Sequence, residues 1–229
     1  MLKKLSLAVA VASASLSGMA FAETVETAVG KLDVTMTTTL ATDWINRGRA
    51  LNGAPTVQGS FDVAHESGLY VGVWGGSMSD SAGGSEFDYY VGYGNDITED
   101  VSFDLQAALY TYPGIPGDDD VELLGSVSAY GATVGLKYLV KTDSDVKSMY
   151  YYAAYDYELP AGFGLTASVG STDPEEGDGF VDWSLGVSKS LGGVDLALTY
   201  ASTDLDENEC PAWVHSCENN VAFSVSKTF

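Results

Sequence analysis

Apolar and polar residues alternate along most of the chain, with the period of two that side chains have along a β-strand. Residues 181–188 show the pattern clearly, because Val, Trp, Leu and Val at the odd positions alternate with Asp, Ser, Gly and Ser at the even ones. The last ten residues, 220–229, alternate in the same way and end on Phe229. One apolar face and one small or polar face are therefore predicted for these strands.

The alternating segments are about ten residues long, which is the length of a tilted membrane-spanning strand. They predict twelve strands, at residues 33–44, 56–66, 68–78, 86–96, 100–112, 121–130, 132–142, 146–158, 163–172, 180–190, 193–204 and 219–229. Twelve is an even number, as single-chain bacterial barrels require.

The connections between the predicted strands alternate between short and long. Short connections at residues 66–68, 96–100, 130–131, 159–162 and 191–193 alternate with long ones at 45–55, 79–85, 113–120, 172–179 and 205–218, and only 142–145 breaks the order. An up-and-down antiparallel barrel with tight periplasmic turns and longer extracellular loops produces this order. A soluble all-β protein remains the alternative, since its strands would alternate in the same way.

The N-terminal 22 residues have the features of a secretory signal peptide. Lys3 and Lys4 precede a short apolar stretch, and Ala20-Phe21-Ala22 provides a cleavage site before Glu23. The apolar stretch is too short for a membrane-spanning helix, and no later segment approaches about 18 consecutive apolar residues. We therefore expect residues 1–22 to be removed and residues 23–229 to form one exported domain.

The chain is strongly acidic, with 10 Lys and Arg residues against 32 Asp and Glu residues. Loss of Lys3 and Lys4 with the signal peptide leaves 8 basic residues and a net charge near −24. Nucleic acid is excluded as a partner, because phosphate contacts require Lys and Arg. Charged residues are only 18% of the chain, so the composition is not that of a disordered acidic protein.

Four stretches of the first half resemble the TorF family of porins. They are Pro55–Gly75 (PTVQGSFDVAHESGLYVGVWG), Phe87–Gly94 (FDYYVGYG), Leu109–Gly114 (LYTYPG) and the first-loop stretch Thr42–Gly48 (TDWINRG). The resemblance implies an outer-membrane barrel that acts as a porin. It implies no substrate, and beyond residue 115 only the strand pattern and spacing are similar.

The alternation assigns several charged residues to the inner face of the predicted barrel. The carboxylates are Asp62, Asp88, Asp104, Asp156, Asp182 and Asp195, and the cations are Lys137 and Lys141. Because rings of carboxylates favour cations, these residues predict a channel for small solutes or ions with a mild cation preference. Eight-stranded barrels are filled by side chains whereas 16–18 strands leave a channel, so a non-conducting barrel stays open as the alternative. In that alternative the acidic loops would bind ions or surface partners.

Cys210 and Cys217 lie in the last long loop, and in an oxidising compartment such a pair predicts a disulfide. The loop-entropy model assigns it about 2–3 kcal/mol of stability. A zinc site that uses His215 with both cysteines is the alternative. The acidic runs 118–120 and 173–178 could bind divalent cations loosely, but solvated charge is the favoured explanation of both runs.

Three residues are predicted to mark the periplasmic edge of the barrel. Lys189 and Lys227 have outward parity near the short connections, where their aliphatic stems would let the ammonium groups reach the lipid headgroups, and Phe229 ends the chain beside them. The outer-membrane lipids and the barrel-assembly machinery are the expected partners.

Catalysis is not predicted, since only His65 and His215 are available as imidazole bases and neither has an orienting group at a recognisable spacing. No cofactor is expected, and the pattern does not predict an oligomeric state.

Overall fold

The computed structural model describes residues 23–115, 117, 119–142 and 146–229. The predicted signal peptide lies outside the described residues. Strands make up nearly all of the regular structure of these residues, and two short 3₁₀ turns lie at Asp80–Ala82 and Pro160–Gly162. Within the described part of the chain, no helix is long and apolar enough to cross a membrane.

Twelve of the fifteen strands form a single closed barrel. They are β2 (Gly30–Ala41), β5 (Thr56–His65), β6 (Leu69–Ser77), β7 (Ser85–Asp96), β8 (Val101–Thr111), β9 (Asp120–Ala129), β10 (Ala132–Lys141), β11 (Ser148–Leu159), β12 (Phe163–Pro174), β13 (Phe180–Leu191), β14 (Val194–Thr203) and β15 (Asn220–Thr228). The other three are β1 (Glu23–Thr27), β3 (Ile45–Asn46) and β4 (Arg49–Ala50).

The barrel strands pair antiparallel with their sequence neighbours, and the sheet closes because β2 pairs with both β5 and β15. At the closure, Ala41 of β2 lies between Thr56 of β5 and Ser224 of β15. The predicted twelve-stranded up-and-down barrel is confirmed, and its strands begin and end within about three residues of the predicted limits.

Strand β1 was not predicted. It pairs with β2 from Glu23 opposite Val34 to Thr27 opposite Gly30, on the same edge of β2 that β15 occupies from Thr37 to Ala41. Phe229 exchanges two backbone hydrogen bonds with Met36 between these two stretches, at 2.8 and 3.2 Å. Strand β1 thus continues the pairing where β15 ends, and it supplies partners to backbone groups of β2 that would otherwise be an open sheet edge.

The outward face of the barrel is apolar. On β13, Leu185 is 57% exposed and Trp183 is 39% exposed, whereas the inward Asp182 between the outward residues is only 2% exposed. On the other strands, too, large apolar side chains are exposed, and together they form a belt around the outside of the barrel. A soluble protein would bury these residues, so the soluble alternative does not fit this barrel.

The two ends of the barrel differ in their connections. Tight turns such as Tyr130-Gly131 and Gly192-Gly193 join the strands at one end, and the long loops and the Cys210–Cys217 segment lie at the other. We call these the short-turn end and the long-loop end.

Candidate functional site

The first long loop folds into the barrel at the long-loop end. Its residues 43–52, here called the inward hairpin, contain the short strands β3 and β4, and Trp44, Ala50 and Leu51 in it are at most 5% exposed. Trp44 packs against Trp74 on the wall of β6, with ring centroids 4.8 Å apart. The inward hairpin therefore lies inside the barrel and packs against its wall.

Local sequence explains the shape of the inward hairpin. Arg47 and Gly48 both have positive φ, at 47° and 76°, which is the requirement of a two-residue turn between paired strands. At the base of the loop, the Asp43 carboxylate accepts backbone hydrogen bonds from Trp44, Asn52 and Gly53 at 2.7 to 3.0 Å. These bonds tie the two ends of the loop together.

Arg47 stands at the tip of the inward hairpin and reaches strands on the far side of the barrel. Its Nη2 lies 2.6 Å from Glu122 Oε1 on β9, and its guanidinium lies 4.5 Å from the ring centre of Tyr150 on β11. The other Glu122 oxygen accepts a hydrogen bond from the Tyr110 hydroxyl at 2.8 Å. Glu122 is thereby held by two donors.

Arg49, on the return strand β4, has no carboxylate within ion-pair distance among the described residues. Its guanidinium lies between the rings of Phe180 and Trp213, at 5.0 and 5.4 Å from their centres. Burial lowers the pKa of Arg49 to about 10, and the neighbouring Arg47 charge adds to this effect. The group therefore stays charged at neutral pH.

The disulfide between Cys210 and Cys217 is present, with Cα atoms 5.8 Å apart, and its thiols are no longer available as zinc ligands. The segment that it closes packs on the inward hairpin. Ala50 N–H donates to the Ser216 carbonyl at 2.8 Å, and His215 N–H donates to the Ala50 carbonyl at 2.9 Å. Cys217 is fully buried in the same apolar cluster as Trp44 and Leu51.

Three inward carboxylates accept hydrogen bonds from tyrosines two strands away. The Tyr90 hydroxyl donates to Asp62, Tyr70 donates to Asp104 at 2.9 Å, and Tyr150 donates to Asp182 at 3.2 Å. In each case the ring crosses a glycine on the strand between, namely Gly72, Gly92 and Gly170. The predicted lumen residues Asp62, Asp104 and Asp182 thus belong to one repeated wall motif.

The other predicted lumen carboxylates lie in different surroundings. Asp88 is 5% exposed on β7, close to the equally buried Glu86. Asp156 is exposed towards the short-turn end and accepts a hydrogen bond from Thr166 at 2.9 Å. Asp195 accepts one from Ser190 at the turn between β13 and β14. The six carboxylates therefore do not form one ring but are spread along the height of the barrel.

The two predicted lumen lysines differ from each other. Lys137 is 6% exposed on β10 and lies within electrostatic range of Glu122, Asp88 and Asp182. The register shifts between Leu139 and Lys141, so that Lys141 is opposite Val121, which itself pairs with the outward Leu109. Lys141 is exposed. This bulge interrupts the alternation from which the lumen position of Lys141 was inferred.

Small hydroxyl side chains line parts of the interior between the charged groups. They bond to one another across neighbouring strands in the pairs Thr37–Thr228, Thr39–Ser226, Ser128–Thr133 and Ser168–Ser184, at 2.7 to 3.1 Å. These parts of the interior therefore offer a polar surface with short side chains.

The residues predicted as edge anchors all lie at the short-turn end, on β13 and at the end of β15. The Lys189 ammonium is 4.2 Å from the ring centre of Phe163, and the Lys227 ammonium is 4.7 Å from that of Phe229. Both rings are on the outside, and Phe229 is 50% exposed. Each pair places a cation and an aromatic ring side by side, as is common at lipid headgroup level.

Both histidines contact residues of turns and loops. His65 bonds to the Ser67 hydroxyl at 2.7 Å, within the turn between β5 and β6, and to the Val29 carbonyl at 2.9 Å, in the turn between β1 and β2. His215 packs against Gly53 of the first loop. Among the described residues, no group of three His, Cys, Asp or Glu side chains is arranged to hold a metal ion.

Sequence reasoning missed several interior groups. Glu86 and Glu122 share the inward parity of the assigned aspartates and could have been found by the same alternation. Arg47 and Arg49 lie in a loop that has no strand period, so alternation could not place them. Two signals marked that loop: the family resemblance of Thr42–Gly48, which contains Arg47, and the apolar Trp44 and Leu51, which are unusual for a solvated connection.

The barrel is similar to those of solved outer-membrane porins. The KdgM porin aligns with 85% of this chain and 98% of its own, with a TM-score of 0.53 and 7% identity. The NanC porin aligns with the same shares of the two chains, with a TM-score of 0.51 and 6% identity. At such low identity the likeness concerns the fold. No curated protein sequence is significantly similar to the chain.

A family model matches residues 25–229, which is nearly all of the chain that follows the predicted signal peptide. Its description is "Bacterial protein of unknown function (Gcw_chp)", and the TorF name suggested by the sequence is not confirmed. The chain belongs to the Gcw_chp family of bacterial proteins.

Proposed function

We propose that the protein is an outer-membrane channel for passive diffusion of small solutes or ions. The observation that carries this proposal is a closed twelve-stranded barrel with an apolar outside and a charged, hydroxyl-lined inside. An apolar belt is what a lipid bilayer requires of a barrel, and a polar interior is what water and solutes require. The fold shared with solved porins supports the same function.

We also propose how the barrel reaches the outer membrane and which of its ends faces the periplasm. Cleavage after residue 22 would release residues 23–229 to the periplasm, where the barrel-assembly machinery would insert them among outer-membrane lipids. The short-turn end, with its Lys189–Phe163 and Lys227–Phe229 pairs, would face the periplasm. The acidic long-loop end would face the outside of the cell.

We further propose a mild preference for cations. Carboxylates outnumber cations on the interior side chains, since Glu86 and Glu122 join the predicted aspartates while Lys137, Arg47 and Arg49 are the cations near them. The KdgM porin has been solved with oligogalacturonate, an acidic ligand. The mainly negative interior of the present chain supports a different, cationic or neutral, class of solute.

A non-conducting barrel is the second candidate function. It is favoured by the inward hairpin, which fills part of the long-loop half and brings Arg47 across to Glu122. In that case the acidic loops would serve ion binding or surface contacts. Solute flux separates the two candidates.

The test of the proposed function is a liposome-swelling assay with the purified, refolded protein. Small neutral solutes should enter vesicles that contain the protein faster than protein-free vesicles, and larger solutes should be excluded. Vesicles that contain the heat-unfolded protein are the control for leakage. Swelling rates equal to that control would contradict the channel and leave the non-conducting barrel.

Cation preference needs a separate measurement, the reversal potential in a salt gradient. Replacement of Asp62 and Asp104 by Asn should move the reversal potential towards that of a non-selective pore, because the variant removes two interior charges. Asp178→Asn, in an exposed loop, is the control for removal of a carboxylate outside the interior and should leave it unchanged. An anion-selective reversal potential in the wild type would contradict the preference.

A further inference from the structure

The inward hairpin crosses the interior of the barrel. Going round the barrel from β2, strands β5, β6, β7 and β8 come before β9, so Glu122 lies five places away in a ring of twelve. The strand diametrically opposite β2 would be six places away. The Arg47–Glu122 ion pair therefore joins the hairpin that follows β2 to nearly the opposite wall.

The same hairpin is fixed at its base and on its other side. Trp44 packs on Trp74 of β6, and the Gly48 carbonyl accepts a hydrogen bond from Asn220 of β15 at 2.9 Å. Together with the ion pair between Arg47 and Glu122 of β9, these contacts distribute the attachment points of the hairpin around the barrel wall. Any solute that passes along the barrel must pass this hairpin.

The disulfide-closed segment 210–217 supports the hairpin from the long-loop end. Ala50 forms an antiparallel bridge with Ser216, and the ring of Trp213 lies 5.4 Å from the Arg49 guanidinium. The segment is itself anchored to β14, because Thr203 donates to the Cys217 carbonyl from both its N–H and its hydroxyl, at 3.0 and 2.9 Å. The hairpin is thus held between this segment and the barrel wall.

We propose that the inward hairpin is the constriction that sets the size and charge selectivity of the pore, with Arg47 as its specificity-determining residue. The Cys210–Cys217 segment is the clasp that positions the hairpin. This inference rests on the proposed channel function. Arg47 places one positive charge opposite the interior carboxylates at the narrowest section, where a single charge has the largest effect on which ions pass.

Single-channel recordings of three variants test this inference. Arg47→Gln removes the charge and the ion pair, so conductance should rise roughly twofold or more and the reversal potential should move further towards cations. Arg47→Lys keeps the charge on a side chain that cannot reproduce the planar guanidinium contacts. It should keep the wild-type reversal potential more closely than Arg47→Gln does.

The double variant Cys210→Ser/Cys217→Ser tests the clasp without a change of interior charge. Its conductance should rise or fluctuate between levels, because the hairpin loses its support. Lys31→Gln is the matched control for Arg47→Gln, since it removes one positive charge from an exposed ion pair at the short-turn end. Heat-modifiable gel migration shows for each variant whether the barrel has folded.

The outcomes separate the inference from the proposed function. If the wild type conducts and both Arg47→Gln and the cysteine variant leave conductance and reversal potential unchanged, the constriction is overturned and the channel stands. A silent wild type with conducting variants would support the hairpin as the closure of the pore. Folded barrels that are all silent would overturn both. If the cysteine variant does not fold, the two Arg47 variants still decide.

Discussion

Tyrosine side chains inside the barrel cross glycines to reach carboxylates two strands away. Tyr90, Tyr70 and Tyr150 do this over Gly72, Gly92 and Gly170. A hydrogen bond to a charged group contributes about 1.5–3 kcal/mol when shielded from water. The ring also covers the backbone of a glycine that has no side chain of its own. The motif therefore stiffens the wall and fixes the direction of each carboxylate.

Gly170→Ala tests this motif. A methyl group there would clash with the Tyr150 hydroxyl, so Tyr150 must move away from Asp182, and we expect a loss of about 1–3 kcal/mol of folding free energy. Gly186→Ala is the control on the next strand, since the nearest atom to its new methyl group would be 3.6 Å away. Urea unfolding in vesicles measures both. Equal stability of the two variants would contradict the motif.

At the scale of elements, the strands were predictable and the inward hairpin was not. The strand period of two and the Gly-containing turns are local signals, so all twelve barrel strands could be located from the sequence. Strand β1 was missed because its five residues carry no distinct alternation. The direction in which the loop after β2 folds depends on contacts with residues far along the chain, such as Glu122 and Ser216, which no local pattern reveals.

The outward belt makes a prediction that depends on depth. Leu185→Arg places a charge in the middle of β13 on the lipid face, where it should cost about 2–4 kcal/mol of folding free energy in a bilayer. Leu191→Arg, on the same strand at the short-turn end, should cost about 0–1 kcal/mol, because headgroups and water are within reach. Folding titrations in lipid vesicles compare the two, and a cost that does not depend on depth would mean that this face does not contact lipid.

The whole molecule combines a lipid-facing outside with an interior of uneven content. Small hydroxyl side chains and carboxylates are spread along the height of the interior, and the inward hairpin occupies the long-loop half. Alternation could assign aspartates such as Asp182 to the interior because they lie on regular strands. It could not assign the arginines. It assigned Lys141 to the interior, but a bulge between Leu139 and Lys141 changes the count of residues along β10 and places Lys141 opposite Val121.

The inward hairpin makes the two ends of the barrel differ, because it enters the interior from the long-loop end. Its Arg47 reaches Glu122 on the wall of β9 and so reduces the cross-section that is open to solutes. We therefore expect a pore of low conductance, narrower than the sixteen- to eighteen-stranded porins.

The most direct test of a conducting path is a planar-bilayer recording of the purified wild-type protein at high salt. We expect discrete, small conductance steps that are absent from the heat-unfolded sample of the same preparation and that carry a cation-selective reversal potential in a salt gradient. A folded, inserted barrel, shown by heat-modifiable migration, that gives no steps above the background would contradict the channel.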